Sequence, residues 1–307
     1  MSHKEKVILL SGPTGSGKSD LAIKLAKLLD GEIINSDSIQ VYKDFEILSS
    51  RPKKKDIKKI KHHLYGIKSA KSQFTTGDWL KIVKKKIDDC FKRKKIPILV
   101  GGTGLYFKAL TDGLIIIPKI PLYLRNEIRK VQKKIGQKNF YKKLLKLDPL
   151  VKLKINSNDV QRSIRAYEIK KFTGKSITKL KKNTKPIFEE KIFKKIFLDI
   201  PRPILHKKIN LRVEKMFKEG AVKEVKKILR AKSKKELSSY KTIGFREIEL
   251  YLNNLISINE AKEKIKIKTR QYAKRQFTWS RGHMKSWNKI FFENNSILLE
   301  KVVSLTS

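Results

Sequence analysis

The stretch Ser11-Gly12-Pro13-Thr14-Gly15-Ser16-Gly17-Lys18-Ser19 follows an apolar run at residues 7–10 and precedes a helical pattern at residues 20–29. Its spacing is G-x-x-x-x-G-K-S, in which glycines let backbone N–H groups converge on phosphate oxygens. Lys18 would neutralise those oxygens, the Ser19 hydroxyl can ligate Mg²⁺, and the helix N-terminus adds partial positive charge. Strand, loop and helix in this order predict a phosphate-binding loop for a di- or triphosphate. Its residues are Gly12, Pro13, Thr14, Gly15, Ser16, Gly17, Lys18 and Ser19.

Short apolar runs recur at residues 7–10, 32–35 and 96–100, with helical patterns between them. This alternation predicts a parallel α/β sheet. The third run leads into a glycine-rich turn at residues 101–106, at the carboxyl end of a strand, where ligands of open α/β sheets collect. We interpret this turn as a functional loop, with a plain turn as the alternative.

The pattern changes at Pro118, after which helical periodicity continues without a convincing strand until residues 195–200. Long helical patterns follow at residues 205–230 and 258–281. The predicted fold class is α/β, with a P-loop-containing parallel sheet core and an inserted all-helical domain. The predicted domains are residues 1–117 and 191–307 for the two parts of the core, and residues 118–190 for the helical insertion.

The charge of the chain is extreme, with 74 Lys and Arg against 29 Asp and Glu among 307 residues, a formal net charge of +45. Such an excess favours a polyanionic partner such as nucleic acid. The alternative is compositional drift toward Lys in an AT-rich genome. Drift explains a general surplus of Lys but does not explain arginines placed in specific motifs, so both causes remain open.

Cys90 is the one cysteine of the sequence, which excludes an internal disulfide and a cysteine-cluster zinc site. A reducing cytosol is therefore the expected compartment. His62 and His63 are adjacent, lack partners at metal-ligand spacing along the chain, and are interpreted as structural or surface residues. No apolar run has the length that crosses a bilayer, so we expect a cytoplasmic protein without membrane contact.

Three polar residues follow predicted strands and so belong to the sheet edge that carries the phosphate loop. Asp37 can act as a general base or hold a metal-bound water, and its alternative is a helix cap or Asx turn. Arg202 can contact phosphate with two hydrogen bonds, and its alternative is a surface arginine. Asp199 is a weaker candidate for metal binding, because Pro201 and Pro203 crowd a short strand.

Two further segments have the composition of RNA-binding surfaces. In residues 158–168, Arg162 and Arg165 share one helical face, and residues 269–281 interleave cations, amides and aromatic side chains. The alternative for the second segment is a solvated helix whose Phe277 and Trp279 lie in the core. Spacing alone does not separate the two interpretations.

With these segments in order, the chain resembles the bacterial tRNA dimethylallyltransferase family, also called tRNA isopentenyltransferases. The resemblance extends over nearly the whole chain in seven separate motifs, which are residues 12–19, 36–42, 62–64, 101–106, 158–168, 238–247 and 269–281. It implies that the phosphate loop holds the diphosphate of dimethylallyl diphosphate rather than hydrolysing ATP. It also implies that the chain acts as a monomer.

The resemblance further implies roles for individual residues. Ser19 would help to ligate Mg²⁺, and Arg202 would reach the same diphosphate as the loop. Asp37 would take a proton from N6 of the adenosine immediately 3′ of the tRNA anticodon, after that base has been flipped out of its stack. The helical insertion would embrace the anticodon stem. Positions that match tRNA contacts of the family are Asp37, Ser38, Ile39, Gln40, Thr103, Arg125, Gln161, Arg162, Ser163, Ile164 and Arg165.

The sequence departs from the family at two places. Members commonly have a Gly-Thr pair before a Lys-Pro or Arg-Pro, where this chain reads Leu48-Ser49-Ser50-Arg51-Pro52. An acidic residue often follows the family arginine, where this chain has Pro203. The sequence therefore does not establish whether this chain makes the contact of the family threonine, although Ser50 retains a hydroxyl.

Two rival functions are compatible with parts of the sequence. A P-loop kinase acting on RNA or a small metabolite would use the loop and Asp37, with residues 161–165 as an arginine-rich lid. The kinase hypothesis assigns no role to residues 101–104 or 269–281. A non-enzymatic RNA-binding protein would explain the charge but leaves the spacing of the phosphate loop unexplained.

Overall fold

Six strands form one sheet in the computed structural model, which describes residues 5–53, 57–58, 60–182, 184–230, 238–292 and 295–306. Within these residues the strands are β1 (Val7–Ser11), β2 (Gly31–Asn35), β3 (His62–His63), β4 (Ile96–Gly101), β5 (Phe193–Asp199) and β6 (Asn288–Phe291). Their order is β3-β2-β4-β1-β5-β6, and all neighbouring strands are parallel. The predicted α/β fold with a parallel sheet is confirmed.

The chain divides into two compact units, one up to Thr111 and again from Phe188, the other from Asp112 to Ile187. The helices of the first unit are α1 (Lys18–Leu28), α2 (Thr76–Lys92), α3 (Gly104–Thr111), α7 (Arg202–Lys218), α8 (Ala221–Arg230), α9 (Phe245–Leu252), α10 (Ile258–His283) and α11 (Asn295–Thr306). Those of the second are α4 (Leu122–Leu147), α5 (Val160–Thr173) and α6 (Ile177–Lys182). Domain boundaries at residues 118 and 190 stay a proposal.

The centre of the sheet is apolar because parallel strands are covered on both faces. All five residues of β1 are buried, and Leu9 lies between Leu99 of β4 and Lys195 of β5. The buried face of α1, with Leu21 and Leu25, packs onto this centre. The carboxyl end of β1 is thereby held rigidly where the phosphate loop begins.

The second unit has its own helical core, which contains Ile128, Phe140, Ile164 and Ile169. Its described residues, 112–182 and 184–187, contain no strand, as the helical patterns predict. The α4 span is interrupted at Gly136, whose φ of +75° lies in the left-handed region that favours glycine.

The edge of the sheet is held by a charged network that spacing along the chain does not reveal. Glu32 of β2 accepts hydrogen bonds from Arg93 at 2.7 and 3.2 Å, and His63 Nε2 lies 2.5 Å from the same carboxylate. Burial opposes the charge of Glu32, but the bonds from Arg93 and His63 outweigh it and lower its pKa to about 2. His63 therefore has spatial partners, in correction of the sequence reading, and with Glu32 and Cys90 forms a group at metal-ligand spacing. Arg93 already neutralises this carboxylate, so the network is structural.

Candidate active site

The phosphate loop closes tightly at the carboxyl end of β1. Gly15 and Gly17 have φ of +82° and +87°, a conformation that L side chains rarely adopt. The Pro13 carbonyl accepts the Ser16 N–H at 3.2 Å and Lys18 Nζ at 3.1 Å. The structure thus contains the predicted turn, which brings residues 12–19 together at the start of α1.

Asp37 lies at the same sheet edge, after β2. Its N–H donates to Asn35 Oδ1 at 2.9 Å, and its own Oδ1 accepts the N–H groups of Ile39 at 2.9 Å and Gln40 at 3.4 Å. This is the Asx-type turn that the sequence left as an alternative. The carboxylate also lines a cavity with Thr14 and Arg212, so one side chain both fixes its loop and faces open space.

Two cations lie in the electrostatic neighbourhood of Asp37. Lys18 and Arg212 are half-buried, and loss of hydration lowers the pKa of each, that of Lys18 to about 8, while the Asp37 charge raises both. Burial raises the pKa of Tyr65, Tyr106 and Tyr272, and the Asp37 charge adds to this effect. The cavity therefore combines the Asp37 carboxylate with the partly dehydrated Arg212, and the charge of Lys18 acts on the same carboxylate from the phosphate loop. This arrangement favours an anionic ligand.

Arg212 was missed in the sequence because it lies within the Lys-rich pattern of α7 without a motif of its own. Arg202, the predicted diphosphate ligand, is the first residue of α7, is exposed, and lines a separate groove with Arg270 and Lys274. Lys208 of the same helix lies beside the phosphate loop, with Nζ 3.9 Å from where a Cβ on Gly17 would stand. The role of Arg202 stays a prediction.

The loop after β4 backs onto the Asp37 loop. A Cβ on Gly101 would lie 2.1 Å from the Ser36 carbonyl oxygen, so glycine permits this approach. The Thr103 hydroxyl oxygen accepts the Ser38 N–H at 3.0 Å and lies 3.3 Å from Ser38 Oγ. Ser38 and Thr103, both predicted to contact tRNA, are therefore neighbours in the site.

Helix α10 supplies another wall. Gln276 is buried and bonds to both loops, accepting from Thr14 N–H at 2.8 Å and donating to the Gly102 carbonyl at 2.9 Å. Tyr272 and Arg275 line two adjacent cavities, one on the Asp37 side and one beside the loop after β4. Trp279, which is half-buried, also lines the second cavity. The segment 269–281 thus contributes directly to the site.

The segment that departs from the family is held through its backbone. Gln40 Nε2 donates to the carbonyls of Ser49 and Ser50 at 3.0 and 3.1 Å, and Arg212 donates to the Ser49 carbonyl at 3.4 Å. The Glu224 carboxylate accepts three consecutive N–H groups, those of residues 46, 47 and 48. These bonds do not depend on a threonine hydroxyl.

The predicted tRNA contacts of the second unit fall into three groups. Ser163 and Ile164 are buried, and Ser163 Oγ accepts from Gln137 at 3.1 Å. Gln161 and Arg162 are exposed. Arg125, Arg129 and Arg165 surround the buried Glu168 carboxylate at 3.7, 3.8 and 3.1 Å. The unit thus presents Arg162 to solvent, while Arg125 and Arg165 are half-buried beside the Glu168 carboxylate.

None of the described helices is both long and apolar enough to cross a membrane.

Comparison with known proteins gives a consistent result. The IPP transferase family matches residues 40–283. A tRNA dimethylallyltransferase of Pelagibacter ubique is 55% identical over 290 residues, which are 94% of this chain and 93% of that protein. The tRNA dimethylallyltransferase of Rickettsia massiliae is 44% identical, over 92% of this chain and 78% of that protein.

Solved structures agree. The tRNA isopentenylpyrophosphate transferase of Bacillus halodurans is similar with a TM-score of 0.71 and 30% identity, over 99% of this chain and 96% of that one. A eukaryotic dimethylallyltransferase studied acting on tRNA is similar with a TM-score of 0.80 and 29% identity, over 94% of this chain and 74% of that one.

Proposed function

We propose that this chain, which belongs to the IPP transferase family, transfers a dimethylallyl group from dimethylallyl diphosphate to N6 of the adenosine 3′ of the anticodon in tRNA. Diphosphate is released, and the reaction takes place in the cytoplasm on a monomeric enzyme. The observation that carries the proposal is the meeting of the phosphate loop with Asp37 in a cavity that also holds Arg212.

The reaction needs a base and an anion site close together. The N6 lone pair forms a bond to C1 of the dimethylallyl group, and the C1–O bond breaks with its electron pair passing to the diphosphate oxygen. Asp37 takes the proton lost from N6. Negative charge grows on the departing oxygen, so the loop N–H groups, Lys18 and Arg212 act most strongly in the transition state.

Mg²⁺ fits the loop through Ser19, whose side chain is exposed in the first turn of α1. A hydroxyl, substrate phosphates and waters form a common ligand set for this ion. When bound, Mg²⁺ would supply further positive charge to the diphosphate. Lys18 and Arg212 hold the same anion independently of the ion.

The second unit is proposed to contact the anticodon stem-loop through Arg125, Arg162, Arg165 and the exposed Gln161. A flipped adenosine would reach Asp37 in the loop that contains Ser38, Ile39 and Gln40, beside Thr103. Because flipping takes the base out of its stack, N6 would then be accessible to the prenyl donor. The positive charge of the chain supports a phosphate-binding role for these surfaces.

The test is transfer of radiolabelled prenyl from dimethylallyl diphosphate to unmodified tRNA, with Mg²⁺ present and ATP omitted. We expect label in the tRNA. Absence of label, together with ATP-dependent phosphorylation of RNA or of a metabolite, would instead identify a kinase, which the family relationship does not favour.

A further inference from the structure

We propose that Gln276 is a positioning residue that holds the diphosphate loop and the Asp37 loop in register. The proposal rests on the prenyl transfer proposed above. It goes beyond that proposal because Gln276 contacts no reacting atom in it. Its side-chain amide links the phosphate loop to the loop after β4.

The amide uses both ends. Its oxygen accepts the Thr14 N–H at 2.8 Å, and its Nε2 donates to the Gly102 carbonyl at 2.9 Å. At 9% exposure, the side chain is largely withdrawn from water, so breaking either bond leaves a polar group without solvent compensation. Both bonds therefore constrain the loops more firmly than exposed bonds would.

The link continues to the base. Gly102 is followed by Thr103, whose hydroxyl oxygen accepts the Ser38 N–H, and Ser38 follows Asp37. The connected path is Thr14, Gln276, Gly102–Thr103 and Ser38. A shift of the amide thus changes the distance between the phosphate loop, which follows β1, and Asp37, which follows β2.

The absence of a side chain at Gly102 leaves room for the Gln276 amide. A Cβ on Gly102 would lie 2.1 Å from Gln276 Nε2 and 3.5 Å from the Gly12 carbonyl oxygen. Gly102 is not in the left-handed region, so alanine is acceptable to the backbone there and would act by displacing the amide. Gly102→Ala therefore perturbs the link while leaving Gln276 in place.

The experiment compares Q276M, which keeps the side-chain length but removes both bonds, with G102A and the double variant. We expect the single-turnover rate of prenyl transfer to fall about 100-fold in each single variant, as for a misplacement near 1 Å. Diphosphate affinity should fall less than tenfold, because the N–H cradle and Lys18 remain. The double variant should be no slower than the worse single variant, since both act through one amide.

Gln73→Met is the matched control, since Gln73 is an exposed glutamine of the same unit that lines neither cavity. Its rate should equal that of the unchanged chain. Thermal melting of every variant separates slower chemistry from loss of folded protein. Rates of Q276M and G102A within threefold of the unchanged chain, or effects that multiply in the double variant, would overturn the proposal. If Q276M does not fold, the G102A rate alone decides.

A second readout does not depend on turnover and so separates this proposal from the proposed reaction. Diphosphate is titrated into the labelled protein and backbone amide resonances are followed. In the unchanged chain, resonances of Thr103 and Ser38 should shift together with that of Thr14. In Q276M the shifts at Thr103 and Ser38 should be lost, and their persistence would contradict the link even if no prenyl transfer occurred.

Discussion

The Thr103 hydroxyl oxygen accepts the Ser38 N–H at 3.0 Å, although the two residues follow different strands. Ser38 is adjacent to Asp37, and Thr103 is adjacent to the glycine pair that ends β4. The loops after β2 and β4 are thereby joined by this hydroxyl, and the Thr103 N–H adds a bond to the Ser36 carbonyl at 3.3 Å. The position of the proposed base depends on a neighbouring strand as well as on its own.

Thr103→Val removes that hydroxyl at nearly constant volume. We expect kcat to fall about fivefold, because the Ser38 N–H loses its acceptor and the Asp37 loop loses a constraint worth about 1 kcal/mol. Thr103→Ser keeps the hydroxyl and should restore most of the rate. Steady-state transfer to tRNA measures both, and equal rates in the valine and serine variants would show that the hydroxyl does not matter.

Arg212→Gln tests the cation that the sequence missed. We expect kcat/KM for dimethylallyl diphosphate to fall about 100- to 1,000-fold, because a partly dehydrated charge facing the leaving group is removed. Arg202→Gln is the companion variant, since Arg202 is exposed and lines a different groove. A larger loss in Arg202→Gln than in Arg212→Gln would return the diphosphate role to Arg202.

Glu168→Gln tests the arginine cluster by whether tRNA binding becomes tighter or weaker. It adds one unit of net positive charge, so a purely electrostatic surface would bind tRNA more tightly. We expect weaker binding instead, by about five- to tenfold, because three arginines lose the carboxylate that orders them. Binding is measured by filter retention at fixed salt, with melting as the check on folding. Tighter binding would contradict the ordering role.

Glu32→Gln tests the buried network at the sheet edge. The folded-state pKa of Glu32 is lowered, so its stabilisation is present above the ordinary carboxyl pKa and is lost as pH falls toward about 2. We expect a loss of about 2 kcal/mol in the free energy of unfolding at pH 7, which shrinks below about pH 4.5. Urea unfolding of the Glu32→Gln variant and the unchanged chain, at pH 7 and below about pH 4.5, measures the difference in their free energies of unfolding. A difference that stays constant with pH would exclude the charged network as its source.

Much of the fold could be read from the sequence because central parallel strands are continuous apolar runs. Strands β1, β2 and β4 match the runs at residues 7–10, 32–35 and 96–100. Strand β3 was missed, since two histidines carry no periodicity and pair only through contacts with β2. The helix predicted over residues 205–230 is divided at Gly220, whose φ is +102°.

The site was predictable where chemistry needs fixed spacing, as in the phosphate loop, and less so where helices approach from far along the chain. Arg212 lies in a helical pattern that looks like Lys-rich surface, and Gln276 lies in a segment whose composition indicates RNA binding rather than a contact with the phosphate loop. Their hydrogen bonds to the loops join residues that are far apart in the chain. The place of Arg202 next to a strand end predicts a contact with phosphate. Proximity in sequence to a strand end does not determine which turn of the following helix lines the Asp37 cavity, and here that turn carries Arg212.

Asp37→Asn in single-turnover prenyl transfer is the most direct test of the central claim that Asp37 is the base. The substituted amide retains an Oδ1 that can accept the Ile39 and Gln40 N–H groups, so the loop should keep its shape. We expect tRNA and diphosphate binding within about threefold of the unchanged chain and a transfer rate about 1,000-fold lower. A transfer rate equal to that of the unchanged chain, with binding intact, would contradict Asp37 as the base.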